Sequence, residues 1–392
     1  MWRLAKHLSR RPTLLLPGWT AQRTMAKKGK GEEFVVTPCE VVRFCEEVLV
    51  SAGACQSNAK EAAHVIAAAD YFGRSTHGIL RLGFYVDELC SGRVNGQARP
   101  CLIQETSATA NVDGCNAMGA VVGNFCNNLA LKKARDCGVG YVCARHANHF
   151  GIASYYTRFI ADCGMIGVAM SVAAPSVVAA GSKQAMFGTN PLSVAAPGCD
   201  GDNFVLDIAT SNASVGRIQE YGVQKKKLPT DWALGKKGTP TTDANDALAT
   251  RKLLPLGGLT TGYKGYGLAA AIDILTSVLA GAQSGPNIPV PSSGGKDCKD
   301  PPKHACLGMS FLVLDPDAFG EGFRQRLSVL LSALRCAEPV DTAHPVRAPG
   351  DFSKKSAEQC DCRGGIAYAK HQRAAMEDIA KRSKIKPMQP NT

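Results

Sequence analysis

No apolar run in this sequence approaches the 18 or so residues that a membrane-spanning helix requires. There is no Gly-x-Gly-x-x-Gly fingerprint and no Gly-x-x-x-x-Gly-Lys loop, so neither a Rossmann dinucleotide unit nor a Walker phosphate cradle is supported. No Cys-x-x-Cys pair occurs, and Cys360-x-Cys362 sits alone in what reads as a polar loop, so no metal site is expected. Sixteen cysteines in 392 residues fall far below the density of a disulfide scaffold. They are scattered singly, as at Cys45, Cys126, Cys143 and Cys163, where a reduced thiol behaves as a small hydrophobe. Nor is there an internal repeat at solenoid periods.

Acidic residues are missing from residues 1–31, where Arg3, Lys6, Arg10, Arg11, Arg23, Lys27, Lys28 and Lys30 supply +8 of the net charge of +12. The remainder is only mildly basic, which argues against a nucleic-acid or acidic-partner binder despite a pI near 9.0. An Arg-rich opening with Leu4, Ala5 and Leu8 among its bases, and no long apolar core, reads as a mitochondrial transit peptide rather than a secretory signal. A matrix location is therefore expected, with Met25 as an alternative start giving a cytoplasmic form.

What is present suits a large α/β (α+β) protein. Thr37-Pro38-Cys39-Glu40 carries a hydroxyl cap, a first-turn proline and an N3 glutamate, and opens a helix closed by Gly53. Ser57 can cap a second helix to about Phe72, and Ser75 or Thr76 a third that stops before Gly92. From about residue 101 short apolar strands alternate with glycine turns, at Leu102–Gln104, Ala110–Val112, Gly140–Ala144, Ile166–Ser171, Leu192–Ala196, Phe204–Ile208 and Ser310–Leu314. Helices interleave at about 119–136, 152–162 and 265–280, the Gln283–Pro302 stretch is a surface loop, and helices return after Pro316 to about Leu334 and near 369–383. This divides the chain into a targeting or disordered segment 1–34, a helical part from both chain ends (35–100 and 317–392), and a mixed α/β middle, 101–316.

Asp70 to Tyr85 holds the densest chemistry, because His77, Arg81 and Tyr85 recur every four residues. On a helix that spacing sets an imidazole, a guanidinium and a phenol on one face, a carboxylate clamp beside a proton carrier. His149, in the strand-to-helix turn His146-Ala-Asn148-His149-Phe-Gly151, is placed like many bases at strand ends. Three further turns could meet a ribose or phosphate: Phe187-Gly188-Thr189-Asn190-Pro191, Asp207-Ile208-Ala209-Thr210-Ser211, and Gly262-Tyr-Lys264-Gly-Tyr-Gly267, which reads as a helix opening.

In this order, these segments resemble the type-2 malate/L-lactate dehydrogenase family, which includes ureidoglycolate and sulfolactate dehydrogenases and cyclic-imine reductases. The likeness covers residues 36–385 and rests on Thr76-His77-Gly78 with Arg81 and Tyr85, Asn148 to Gly151, Gly188 to Pro191, Asp207 to Ser211, Gly262 to Gly267, and Pro349-Gly350-Asp351. It implies a nicotinamide-dependent oxidoreductase with a non-Rossmann cofactor domain, a small carboxylate substrate such as malate or L-lactate, and a homodimer. On matching positions, His149 would exchange the proton and Arg81 hold the carboxylate, while Thr76, His77 and Tyr85 orient substrate. Gly188, Thr189, Asn190, Asp207, Ile208, Ala209, Lys264, Pro349, Gly350 and Asp351 would line the cofactor. NAD is expected, although Arg217 and Lys225-Lys226-Lys227 could meet the 2′-phosphate of NADP. Reduction of a cyclic imino acid is the alternative within the family.

Overall fold

The computed structural model describes residues 34–290 and 304–391; the targeting reading of residues 1–31 lies outside them. The described chain opens with β1 (Phe34–Val36), which the sequence reading lacked, then α1 (Pro38–Ser51), α2 (Gln56–Tyr71) and α3 (Leu82–Cys90). Thr37 caps α1 as expected, its hydroxyl accepting the Glu40 N–H at 3.3 Å. Helix α2 starts one residue ahead of the predicted cap at Ser57, with Cys55 in the cap position. The largest correction falls at Ser75–Arg81. Instead of one helix there are two 3₁₀ turns, Ser75–His77 and Ile79–Arg81, bent at Gly78 (ψ −136°), so His77 lies outside the helix that carries Tyr85.

The middle of the chain supplies β2 (Cys101–Glu105), β3 (Thr109–Asp113), α4 (Gly119–Cys137), β4 (Val139–Ala147), α5 (Ala153–Asp162), β5 (Ile166–Ser171), β6 (Val177–Val178), β7 (Ala185–Phe187), β8 (Leu192–Ala196) and β9 (Phe204–Ile208). It continues with α6 (Val215–Val223), β10 (Ala233–Leu234), α7 (Ala244–Thr250), β11 (Lys252–Leu253), α8 (Gly258–Asp273) and β12 (Leu307–Leu314). Seven strands form one mixed sheet in the order β2-β3-β4-β12-β5-β8-β9, with β3 and β4 parallel and the other neighbours antiparallel. Glycine at 140 lets α4 come down on β4, since a Cβ there would meet the Ala130 carbonyl, while the next side chain, Tyr141, donates to the Leu275 carbonyl at 2.7 Å. Successive strand residues face opposite sides, so α4 and the π-helical turn 274–278 that extends α8 cover opposite faces. Four short strands make a second sheet, β10-β11-β6-β7.

The chain ends in α9 (Phe323–Arg335), α10 (Asp351–Arg363), β13 (Ile366–Tyr368) and α11 (Lys370–Ser383). Helix α10 was missing from the sequence reading, and Cys360 and Cys362 lie on it rather than in a loop. Both chain ends meet: β13 pairs antiparallel with β1, and the Tyr368 hydroxyl reaches α2, donating to Asp70 at 2.9 Å. The main core spans this junction, from Val36, Phe44 and Ile66 through Tyr156 and Phe311 to Ile366 and Met376. Phe150, just after β4, stacks on Tyr156 at 5.0 Å, and the Tyr156 hydroxyl donates to the Phe150 carbonyl at 2.7 Å. Removing that donor leaves a buried carbonyl unsatisfied, so Tyr156→Phe is expected to lower unfolding free energy by about 1–3 kcal/mol in urea titrations.

Candidate active site

The site is built on two short segments that approach from opposite directions. One is the Thr76–Tyr85 turn and helix, the other the 148–151 loop between β4 and α5. Asp70 holds the first. It ends an alanine-rich helix whose last turns are buried on all sides, and its Oδ2 accepts the Ile79 N–H and the Tyr368 O–H, both at 2.9 Å. Gly78 passes so close that a Cβ would overlap the Asp70 carboxylate, which makes glycine obligatory there. Burial pushes the Asp70 carboxyl up to about 7, against the two hydrogen bonds that favour its charge.

The second segment is anchored from below. The Asn148 amide donates to the Asn116 side-chain oxygen at 3.1 Å and to the Ala117 carbonyl at 2.8 Å. Gly119 lies under it, where a Cβ would strike the Asn148 and His149 carbonyls.

Across the gap, His77 and His149 stack with ring centroids 5.6 Å apart and 22° between planes. The Tyr85 hydroxyl lies 2.7 Å from His149 Nδ1, and the Gly151 N–H donates to the same nitrogen at 3.3 Å. A backbone N–H can only donate, so in the neutral ring Nδ1 is an acceptor, Tyr85 donates to it, and Nε2 carries the proton. Tyr85 thus orients His149. Thr76 Oγ1 lies 3.1 Å from His77 Nδ1, and its methyl packs against Gly216 at the start of α6. Arg81 lays its guanidinium over Phe84, 4.0 Å from the ring centroid, and its Nε is buried without a partner.

Burial, then the positive charge of Arg81, drives His77 down to about 4, with Asp207 opposing. The same two causes, with His77 added, hold His149 well below the ordinary histidine range. Both imidazoles are neutral at physiological pH.

The other sequence-predicted residues fall into three groups. Asp207 is the penultimate residue of β9, accepts the Ser154 N–H at 3.0 Å, and lies within electrostatic reach of both His77 and Arg158; Ile208 ends the strand and Ala209 follows it. Gly188, Thr189 and Asn190 join this segment to α8: Thr210 donates from N–H and Oγ1 to the Thr189 carbonyl, and the buried Asn190 amide donates to the Ala269 carbonyl at 3.0 Å. Lys264 is not at a helix opening. It sits on the second turn of α8, exposed, with Nζ 5.9 Å from the Tyr263 ring centroid. Pro349, Gly350 and Asp351 meet β9, the Pro349 carbonyl accepting the Val205 N–H at 3.0 Å, and Asp351 is committed to Arg335 at 2.7 Å.

A cavity of about 570 Å³ adjoins Gly350 and Asp351, walled by Phe72, Arg158, Asp162, Asn203, Arg324 and Lys354. Arg158 stacks on Phe72 at 4.1 Å and keeps a buried, unpartnered Nε. Burial lowers its guanidinium to about 10. Sequence reasoning passed over Asp70, Phe84 and Arg158. Of these, Asp70 had a signal: a lone carboxylate inside the run Val-Ile-Ala-Ala-Ala-Asp. His146 binds Asp113, at 3.0 and 3.1 Å, and among the described residues no cluster of three or more metal-ligating side chains occurs.

The structure thus brings together a guanidinium with an unspent donor and two neutral imidazoles, and separately a cavity walled in part by Arg158, Arg324 and Lys354. The chain is an oxidoreductase of the malate/L-lactate dehydrogenase family, whose profile matches residues 36–377. It is 35% identical over 318 residues to the malate dehydrogenase of Pyrococcus horikoshii, covering 79% of this chain and 86% of that one. The L-sulfolactate dehydrogenase of Methanocaldococcus jannaschii is 35% identical over 324 residues, 82% and 90% of the two chains. The NAD(+) ureidoglycolate dehydrogenase of Escherichia coli K12 is 33% identical over 312 residues, 79% and 85%. The crystal structure of malate dehydrogenase from Entamoeba histolytica superposes with a TM-score of 0.83 at 27% identity, covering 91% of this chain and 99% of that one. The fold expected from the sequence, a non-Rossmann mixed sheet with helices from both chain ends, is the one found. Membership of the family implies a nicotinamide cofactor.

A pH-dependent stability follows from Asp70 and His77. The folded chain holds the Asp70 proton from about pH 4 to about 7 whereas the unfolded chain has lost it, so this group makes stability fall as pH rises through that window. His77 acts in the opposite sense, the unfolded chain taking up a proton below about 6.5 that the folded one refuses down to about 4. Asp70→Asn removes only the first effect. Its stability relative to the parent is expected to improve steadily from about pH 4 to 7 in urea titrations; a pH-independent difference would show that burial of the carboxyl is not the cause.

Proposed function

We propose that the protein is an NAD-dependent dehydrogenase of small 2-hydroxy acids that also reduces the corresponding 2-oxo acids, with malate the first candidate and L-lactate the second. The observation that carries this reading is Arg81, a guanidinium fixed on Phe84 with a buried, unspent Nε beside His77 and His149. A forked cation matches a carboxylate bidentately, and holding the acid there sets its 2-carbon against His149.

Bound nicotinamide supplies or accepts the hydride. The residues suited to hold it are Asp207, Ile208 and Ala209 at the end of β9, the 188–190 turn tied to them, and the Pro349–Asp351 turn at the 570 Å³ cavity, where the orphaned Arg158 Nε offers a donor for a phosphate. Lys264, exposed on α8, is a weaker member of this set. NAD is favoured over NADP because Arg217 is already paired with Glu220 at 2.9 Å and Lys225 to Lys227 are solvent-exposed.

The neutral His149 presents Nε2–H, which hydrogen-bonds and polarises a carbonyl oxygen; transferring a proton to that oxygen as negative charge develops requires the ring to be imidazolium, which then returns to neutral imidazole. Burial and then the Arg81 charge lower both histidines, and a carboxylate on Arg81 offsets the second of these, so the imidazolium is easier to form with substrate in place. His77, joined to Thr76, orients the acid from the other side. In the reverse direction Nε2 must be free to accept a proton, so the ring must carry its own on Nδ1, where the Tyr85 oxygen 2.7 Å away accepts it and the 3.3 Å Gly151 contact is given up. The reading includes a homodimer and delivery to the mitochondrial matrix by residues 1–31, which N-terminal sequencing of matrix-purified protein tests directly.

The decisive experiment follows NADH and NADPH oxidation against a panel of 2-oxo acids and cyclic imino acids. Turnover confined to imino acids would replace the hydroxy-acid reading with imine reduction, and silence across the panel would remove both. In the same assay Arg81→Ala is expected to lower kcat/KM for the acid by about 100-fold, the scale of a lost charged bidentate contact, while sparing the corresponding amide. Binding of a 2-oxo acid analogue to the cofactor-loaded enzyme at neutral pH should take up about one proton, read as a dependence of calorimetric heat on buffer ionisation. Heats independent of buffer would show that substrate does not charge His149.

A further inference from the structure

We propose that Cys101 and Cys115 are a modification site, forming a reversible disulfide on exposure to a small-molecule disulfide such as oxidised glutathione. Cys101 opens edge strand β2, is exposed, and stands opposite Asp113 of β3. Cys115 follows two residues after Asp113. On a regular ladder that diagonal would hold the side chains apart, but Cys115 and Asn116 both take left-handed conformations (φ 50° and 56°) and fold the chain back. The two sulfurs consequently lie 3.6 Å apart. A disulfide needs about 2.05 Å, so the remaining approach is of the size that side-chain rotation supplies.

The backbone of Cys115 is already fixed for it. Its N–H donates to Asp113 Oδ1 at 2.8 Å, while the flanking Gly114 and Asn116 N–H groups bind the Arg145 and His146 carbonyls at 2.8 and 3.0 Å. The exposed Cys101 meets the oxidant first: its thiolate attacks one sulfur of glutathione disulfide, forming a mixed disulfide and expelling one glutathione thiolate, which takes a proton. Cys115, whose thiol is pushed up to about 11 by burial and by the adjoining Cys101 thiol, attacks second. Its thiolate displaces the other glutathione from Cys101. Two protein thiols are oxidised by two electrons, and one glutathione disulfide is reduced to two glutathiones.

The consequence reaches the candidate active site through a short path. The bond would tie β2 to the turn whose Asn116 and Ala117 receive the Asn148 amide, immediately before His149. Bond formation itself does not rest on the catalytic reading.

The test treats the full chain with excess oxidised glutathione, blocks free thiols with iodoacetamide, and maps peptides by mass spectrometry with and without prior reduction. The expected result is a linked pair of peptides holding Cys101 and Cys115 that reduction releases. In Cys115→Ser the expected product is a persistent glutathione adduct on Cys101, because the resolving thiol is gone. Alkylation of both residues after oxidation, or an adduct on Cys101 equally persistent in the parent and in Cys115→Ser, would overturn the proposal.

Discussion

A single buried carboxylate sets the geometry on which the candidate site depends. Asp70 stands at the end of α2 and binds the first amide of the turn leading to Arg81, while Tyr368 from the far end of the chain closes on the same oxygen. It lies against the Gly78 backbone, so the sharp bend between His77 and Ile79 is fixed by contact as well as by hydrogen bonding. The C-terminal strand is therefore part of the support for the N-terminal turn, which explains why both chain ends pack into one core.

Electrostatics completes what that geometry begins. Arg81 and burial act together on two stacked imidazoles, keeping both without charge. Two neutral rings can share a space that two imidazolium ions could not. The Gly151 amide and Tyr85 then select which nitrogen of His149 bears the proton, a choice made by backbone and phenol rather than by a carboxylate partner.

Much of this was legible in the sequence where local signals were strong. The strands Ile166–Ser171, Leu192–Ala196 and Phe204–Ile208 have the bounds expected from apolar runs closed by turn residues. His149 was placed in its strand-to-helix turn by the same logic, and the structure puts it against Tyr85 and His77 as one group. Helix α10 was not legible because Phe-Ser-Lys-Lys-Ser-Ala-Glu-Gln-Cys-Asp-Cys has no apolar period; it buries only Ser353 and Cys360. The hydroxyl caps at Ser75 and Thr76 suggested a helix for His77, yet the close passage of Gly78 over Asp70 overrode that local preference. Phe84 and Arg158 escaped because their roles come from long-range contacts that spacing does not encode.

The order of strands in the large sheet carries a last consequence. Its central strand, β12, pairs with β4 on one side and β5 on the other, yet it is synthesised well over a hundred residues after either. Until it arrives, β4 and β5 each present an unpaired apolar edge, so the emerging chain cannot close its sheet. Loop closure over that distance must be met before the pairing rewards it. The nascent protein consequently passes through a stage with two open edges, the stage at which it is most open to off-pathway strand pairing and most in need of a holding chaperone.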